Sequence, residues 1–391
     1  MFASKDLLFS AEKYNVSRSL RFRRSASAQL TRTPSSASNR KTWTWSGWVK
    51  RGLLATGQGI FCAVGAATDT GSFYLTFFTD DIIRITGQAT VFLATTQVFR
   101  DPSAWYHIVL AMDTTNTTNA DNRLRLYVNG SEVTNFATRN NLTVNTDYGI
   151  NQASVAHYLM SYNAAYCDGY LAEVNFIDGQ QLTPTSFGFY DNFGIWQPKG
   201  YTGAYGTNGF YLNFSDNSAA TATTIGKDTS GNGNNWTPNN ISVTAGTTYD
   251  SMIDSPTNYA DGSTGRGNYC VLNYISTLTT ATLAAGNLQY TSAVAGDNAI
   301  GTIGMSSGKW YWEAQTSAGT TQARATVYGT SAATYYSFAA NNTVYGFRFD
   351  AGAGTFEQTA DGTNWTSVAT GLTSGPYFPY FNNNGTTSKT I

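Results

Sequence analysis

Residues 123–133, RLRLYVNGSEV, alternate apolar and polar side chains with a period of two and then break at Asn129-Gly130. Leu124, Leu126 and Val128 fall on one side and Arg123, Arg125 and Tyr127 on the other, as in a strand with one buried face. An Asn-Gly pair there supplies the two positive-φ residues of a type I′ hairpin turn. The same pattern recurs at SGKWYWEAQT and at YGFRFDAGAGTFEQTADGTNW. In the latter, Tyr345, Phe347 and Phe349 share a face and Asp361-Gly362 marks the turn. Only 12 % of residues are charged, while Gly, Thr, Asn and aromatics abound, which suits pleated half-buried surfaces joined by tight corners. No stretch reads as an amphipathic helix, and NQASVAHYLMSYNAAY (151–166) has room for one helical turn at most. The chain is predicted to be all-β.

The 391 residues suffice for two or three domains. We expect an extended N-terminal arm at 1–17 and a first sandwich at 18–190. Closing strands and a Gly/Asn-rich linker follow at 191–265, and a second sandwich at 266–391. Residues 1–51 hold eleven Lys and Arg against Asp6 and Glu12, so about +9 of charge sits in the first eighth of a chain whose total is −1. Within SLRFRRS, Leu20 and Phe22 alternate with Arg21 and Arg23, as in a strand with a charged outer face. Arg18, Arg21, Arg23 and Arg24 are therefore expected to dock the arm on an acidic protein surface. Nucleic acid is not expected, because the acidic remainder does not suit a phosphate backbone. Cys62, Cys167 and Cys270 fit neither a disulfide framework nor a zinc spacing. The opening MFASKDLLFSAEKY does not read as a signal peptide, and no apolar run has the length of a membrane span. Folding in a reducing cytoplasm, without membrane insertion, is the expectation.

Four motifs resemble laminin-G-like (concanavalin A-like) jelly-roll domains in order and spacing: KTWTWSGWVKRG, AWYHIVLAMD, RLRLYVNGSEV and CDGYLAEVNFIDGQQLTPTSFG. SGKWYWEAQT with YGFRFDAGAGTFEQTADGTNW resembles a SPRY sandwich, whose final strand is not recognisable before GTTSKTI; that sandwich is expected to be truncated or to have an edge completed by another segment. The pair of modules behind a basic arm resembles virion proteins of tailed bacteriophages, the tail or head fibres and appendages. That resemblance implies a virion location after assembly in the host bacterial cytoplasm. It also implies capsid, portal or tail partners, a homo-oligomer of three chains, and adhesion to a host-surface glycan. The alternatives are a purely structural decoration or adaptor protein, a secreted glucanase-like enzyme, and a bacterial surface lectin.

Trp43, Trp45 and Val49 share a strand face, which the jelly-roll pattern turns inward; Trp48 points the other way. Trp48 either stacks on a sugar or lies beneath the arm or a neighbouring subunit, with the covered outcome favoured. With Tyr127 and His107 it makes the candidate set for carbohydrate binding or a subunit interface. Trp105 is expected to pack internally. No catalytic site is expected. The chain has five glutamates, and on an unbroken strand Glu173 faces away from Asp168 and Asp178 and alongside Leu171 and Asn175. The E-x-D-x-x-E arrangement of the glucanases is absent, and no nucleophile elbow accompanies His107 or His157. No cofactor is required. Calcium, which the laminin-G resemblance brings in, has Asp228 (in DTSGNGN) and Asp168 as candidate ligands, with Asp69 and Asn163 in further loops; the spacing of an EF-hand is missing.

Overall fold

The computed structural model describes residues 14–162, 164–257, 267–274, 280–317, 320–327, 336–339, 343–384 and 389–390. These are strands, loops and three short 3₁₀ turns, at Arg24–Ala26, Ala120–Arg123 and Pro184–Ser186. No helix among them is long and apolar enough to cross a membrane. Where one helical turn was allowed, the described residues of 151–162 and 164–166 form turns and strands instead, with Ala156–Leu159 bonded to Gln58–Val64 and to Gln29–Arg32.

Two eight-stranded antiparallel sheets face each other in the first sandwich. One runs, in spatial order, Ser131–Glu132, Leu124–Val128, Trp105–Asp113, Thr42–Arg51, Gly169–Asp178, Ser19–Phe22 and Ser251–Met252, with Phe210–Leu212 also paired to Gly169–Asp178. The other runs Phe136–Arg139, Val91–Val98, Ile82–Thr86, Phe73–Phe77, Gln58–Val64, Ala156–Leu159, Gln29–Arg32 and Thr237–Asn239. Residues 191–265 thus add Phe210–Leu212 and Thr237–Asn239 to the two sheets. Asn129 (φ 48°) and Gly130 (φ 83°) form the anticipated hairpin turn. Trp43 and Trp45 are fully buried between the sheets, Trp45 stacked on Phe61 at 5.9 Å and Trp43 edge-on to Phe73 at 5.4 Å. Each such ring contributes about 2–3 kcal/mol through burial alone. Trp45 also lies over Gly47, where an added Cβ would sit 2.7 Å from the ring.

The second sandwich pairs two four-stranded sheets. In the first, Tyr377–Asn383 lies between Asn298–Ile300 and Thr320–Val327, and Tyr336–Ala339 forms the far edge. The second is Lys309–Ala314, Tyr345–Asp350, Thr355–Thr359 and Thr366–Ala369. Tyr345, Phe347 and Phe349 do share the inner face, packed with Phe338, Phe356 and Phe381. Tyr377–Asn383 is a strand that the sequence reading did not pick out; Pro379 obscured its alternation.

Candidate functional site

On the Thr42–Arg51 strand, alternation sends Thr44, Ser46, Trp48 and Lys50 to the outer face of the first sheet. That face is closed by the chain itself. Trp48 is 4 % exposed and packs with Val16, Trp105, Tyr170, Ala172 and Trp196. His107 is 1 % exposed and stacks on Trp48 at 4.8 Å. Its Nδ1 accepts the Trp196 indole N–H at 2.9 Å, so the ring proton is on Nε2 and is donated to Ser46 Oγ at 2.9 Å. Burial lowers its pKa to about 3, so the ring is neutral. Tyr127 is 4 % exposed, packed with Val109, Ala111, Ile177 and Phe187, and burial pushes its hydroxyl up to about 12. Trp48 lies beneath the arm, the covered position favoured for it, and Tyr127 and His107, the other candidates for a sugar or a subunit interface, are covered as well. They do point outward from the sheet, but residues 14–16 and the 182–205 segment cover them. Gly130 belongs to this cover, since a Cβ there would meet the Trp196 ring at 2.3 Å.

The arginines expected to dock on a partner are spent inside the chain. Arg21 Nε meets Asp250 at 3.1 Å, and Arg21 Nη2 donates to the Thr247 and Tyr249 carbonyls at 2.9 Å. Arg23 grips both oxygens of the same Asp250, at 2.8 and 3.0 Å. Arg18 donates to the Ser251 carbonyl at 3.2 Å, and Arg24 to that of Tyr166 at 3.3 Å. The Ser19–Phe22 strand is buried on both sides, which leaves Arg21 almost no solvent to face; Arg18, Arg23 and Arg24 are part-exposed beside it, and the 240–254 segment supplies partners for all but Arg24.

The candidate calcium ligands likewise have other duties. Asp228 accepts the backbone N–H groups of Tyr211, Ser230 and Asn234 at 2.8–2.9 Å, locking the SGNG turn. Asp168 is buried and accepts the N–H groups of Arg24, Ala285 and Gly286, the last at 2.5 Å, fastening the first sandwich to the second. Burial raises its pKa. Asp69 holds Ala89 and Thr90; Asn163 lies outside the described residues. Among the described residues, no three His, Cys, Asp or Glu side chains gather in a metal-holding group.

Glu173 stands where regular alternation does not put it. The register against Thr42–Arg51 shifts between Ala172 and Asn175, and Glu173 has φ 51°. Leu171, Val174 and Phe176 face the core, so the extra residue of this bulge turns Glu173 outward together with Ala172. Without it the carboxyl would enter the core beside Leu171. Instead it accepts the hydroxyls of Tyr14 (2.6 Å) and Tyr211 (2.8 Å) beneath the covering layer. Burial raises its pKa to about 7, against the lowering effect of the two hydroxyls.

The open surface lies on the second sandwich. Cross-strand register aligns Tyr311, Arg348, Glu357 and Ser367 in one row across the four strands of the Lys309–Ala314 sheet. Tyr311 is 57 % exposed, rests on Gly346 and meets Trp365 edge-on at 6.1 Å. Arg348 lies 4.2 Å over the Trp365 ring and pairs with Glu357 at 2.6 Å, while Tyr311 donates to Glu313 at 2.6 Å. Aromatic faces beside fixed carboxylates and a guanidinium can stack on the apolar face of a pyranose and hydrogen-bond its hydroxyls. The signal was present in the sequence: Tyr311, Glu313, Arg348 and Glu357 are outward-face residues of three alternating strands. Next to this sheet a cavity of about 540 Å³ is lined by Val271, Leu272, Asn287, Trp312, Val344 and Phe381 among others. Both amide atoms of Asn287 and the Trp312 indole nitrogen lack partners among the described residues.

Residues 24–186 match the family described as the concanavalin A-like lectin/glucanases superfamily, Laminin_G_3. No curated protein sequence matches the chain. In structure it is similar to the native heptameric SAP-like pentraxin of Limulus polyphemus, at 14 % identity and a TM-score of 0.31, over 44 % of this chain and 80 % of that one. It is similar to domain 4 of AbnA, a GH43 extracellular arabinanase of Geobacillus stearothermophilus, at 17 % and 0.26, over 38 % of this chain and 65 % of that one, just under two thirds of its length. It is also similar to the TRIM65 PSpry domain, at 10 % and 0.25, over 31 % of this chain and 88 % of that one. The fold is all-β, and its first sandwich is a concanavalin A-like jelly roll.

Proposed function

We propose that this chain is a non-enzymatic carbohydrate-binding protein that grips glycans through the outer face of its second sandwich. The observation that carries the reading is the open row of Tyr311, Arg348 and Glu357 with Trp365 beside it. The lectin-type fold of residues 24–186 supports it. So does the chemistry of the first sheet, where Asp168, Glu173 and Asp178 are each held by neighbouring groups and face no open cleft together. In its finer form the proposal is a fibre or appendage of a tailed-phage virion, assembled in the bacterial cytoplasm and acting as a trimer. Several copies then make weak sites sufficient at a host surface. The experiment is a glycan array of bacterial polysaccharides read with the wild type, Tyr311→Ala and Arg348→Ala. Binding that both substitutions reduce at least tenfold supports the reading. Silence across the array, or binding indifferent to both, overturns it.

A purely structural decoration or adaptor role has its own observation. The Gly188–Tyr190 and Trp196–Pro198 hairpin carries Phe193, 88 % exposed, with Ile195 beside it, an apolar tip suited to another protein surface. Particle assembly that fails with Phe193→Ser while glycan binding persists favours that reading.

A further inference from the structure

Lys50 is a fully buried cation on the outward face of the first sheet, and its surroundings are unusual for a structural lysine. Its Nζ lies 2.8 Å from Asp254 Oδ2, 2.8 Å from Asn268 Oδ1 and 2.8 Å from the Tyr269 carbonyl oxygen. Asp254 is itself buried, and its other oxygen accepts the Trp105 indole N–H at 3.0 Å and the Tyr269 N–H at 3.3 Å. The Tyr170 ring stands 5.7 Å from Nζ. A carboxyl and a carboxamide are therefore both held within hydrogen-bond reach of one buried amine, beside the Trp105 and Tyr170 rings. This is the arrangement that lets an amide exchange proceed without an external reagent.

We propose that Lys50 and Asn268 join in an intramolecular isopeptide bond, with Asp254 carrying the proton. The Lys50 ammonium first passes a proton to Asp254; in a buried, low-dielectric site the neutral amine and acid replace the ion pair. Burial raises the Asp254 pKa, in keeping with that transfer. The free amine attacks the Asn268 side-chain carbon, one bond beyond the oxygen it now contacts. Asp254 delivers its proton to the Asn268 amide nitrogen and takes one from the attacking nitrogen. The carbon–nitrogen bond to that amide group breaks and ammonia leaves; one amide bond is made and one is lost, with no oxidation or reduction. Ammonia has an exit, because Asn268 is exposed, and among the described residues its Nδ2 is bonded to the Ser103 carbonyl alone, at 2.7 Å. The product ties the central strand of the first sandwich to the segment that enters the second.

The test is the intact mass of the purified, folded full-length chain. The bond predicts a mass about 17 Da below that of the sequence, and a branched peptide joining Lys50 to Asn268 after digestion. Asn268→Ala and Asp254→Asn should each restore the full sequence mass. A wild-type mass equal to that of the sequence overturns the proposal whatever the variants do. A loss of about 18 Da, with the branch at Asp254, overturns the assignment to Asn268.

Discussion

The outer face of the first sandwich's Thr42–Arg51 sheet and the outer face of the second sandwich's Lys309–Ala314 sheet follow the same alternation, yet only the second meets solvent. On the first, Trp48, His107 and Tyr127 are roofed by residues 14–16 and by the 182–205 segment. On the second, Tyr311 and Arg348 stay open. Alternation tells which residues leave a core; it does not tell whether a distant part of the chain returns to cover them. Outward aromatics become a recognition surface only where that cover is absent.

The two faces should respond differently to substitution. Trp48→Ala should cost about 3–5 kcal/mol in urea unfolding, as for a large side chain removed from a packed interior. Asp250→Ala should cost a similar ~3–5 kcal/mol, because it leaves the buried Arg21 and the part-buried Arg23 without their carboxylate. Glu173→Gln probes the roof by pH. The Glu173 pKa rises on folding from 4.5 to about 7, so the folded state holds the extra proton, and stability falls as pH rises through that window. The variant lacks this loss. Its stability relative to wild type should grow by up to ~3 kcal/mol between pH 4.5 and 7. His107 and His157 act oppositely: their folded pKa values, about 3 and about 4, lie below 6.5, so stability falls as pH drops from 6.5 toward 4. Wild type should therefore show a shallow pH profile near neutrality and Glu173→Gln a steeper acid limb. The smallest effect belongs to the open face, where Tyr311→Ala or Arg348→Ala should change stability by less than ~1 kcal/mol while weakening any glycan complex.

Much of the architecture was legible in the residues. The alternation in RLRLYVNGSEV and YGFRFDAGAGTFEQTADGTNW, with its Asn-Gly and Asp-Gly corners, gives the hairpins, and the inward pair Trp43 and Trp45 follows from the same count. Roles set by long-range returns of the chain were not legible. Arg21 and Arg23 look like a docking patch until residue 250 arrives, and Asp168 looks like a metal ligand until the amides of 285–286 fill its oxygens. Glu173 was misplaced for a local reason, a one-residue bulge that period-two counting does not detect.

Hydroxyl-radical footprinting of the native full-length chain, read residue by residue by mass spectrometry, tests the contrast between the two faces most directly. Tyr311 should be modified rapidly and Trp48 and Tyr127 should stay protected until the chain unfolds. Oxidation of Trp48 and Tyr127 at the rate of Tyr311 in the native state would contradict the account.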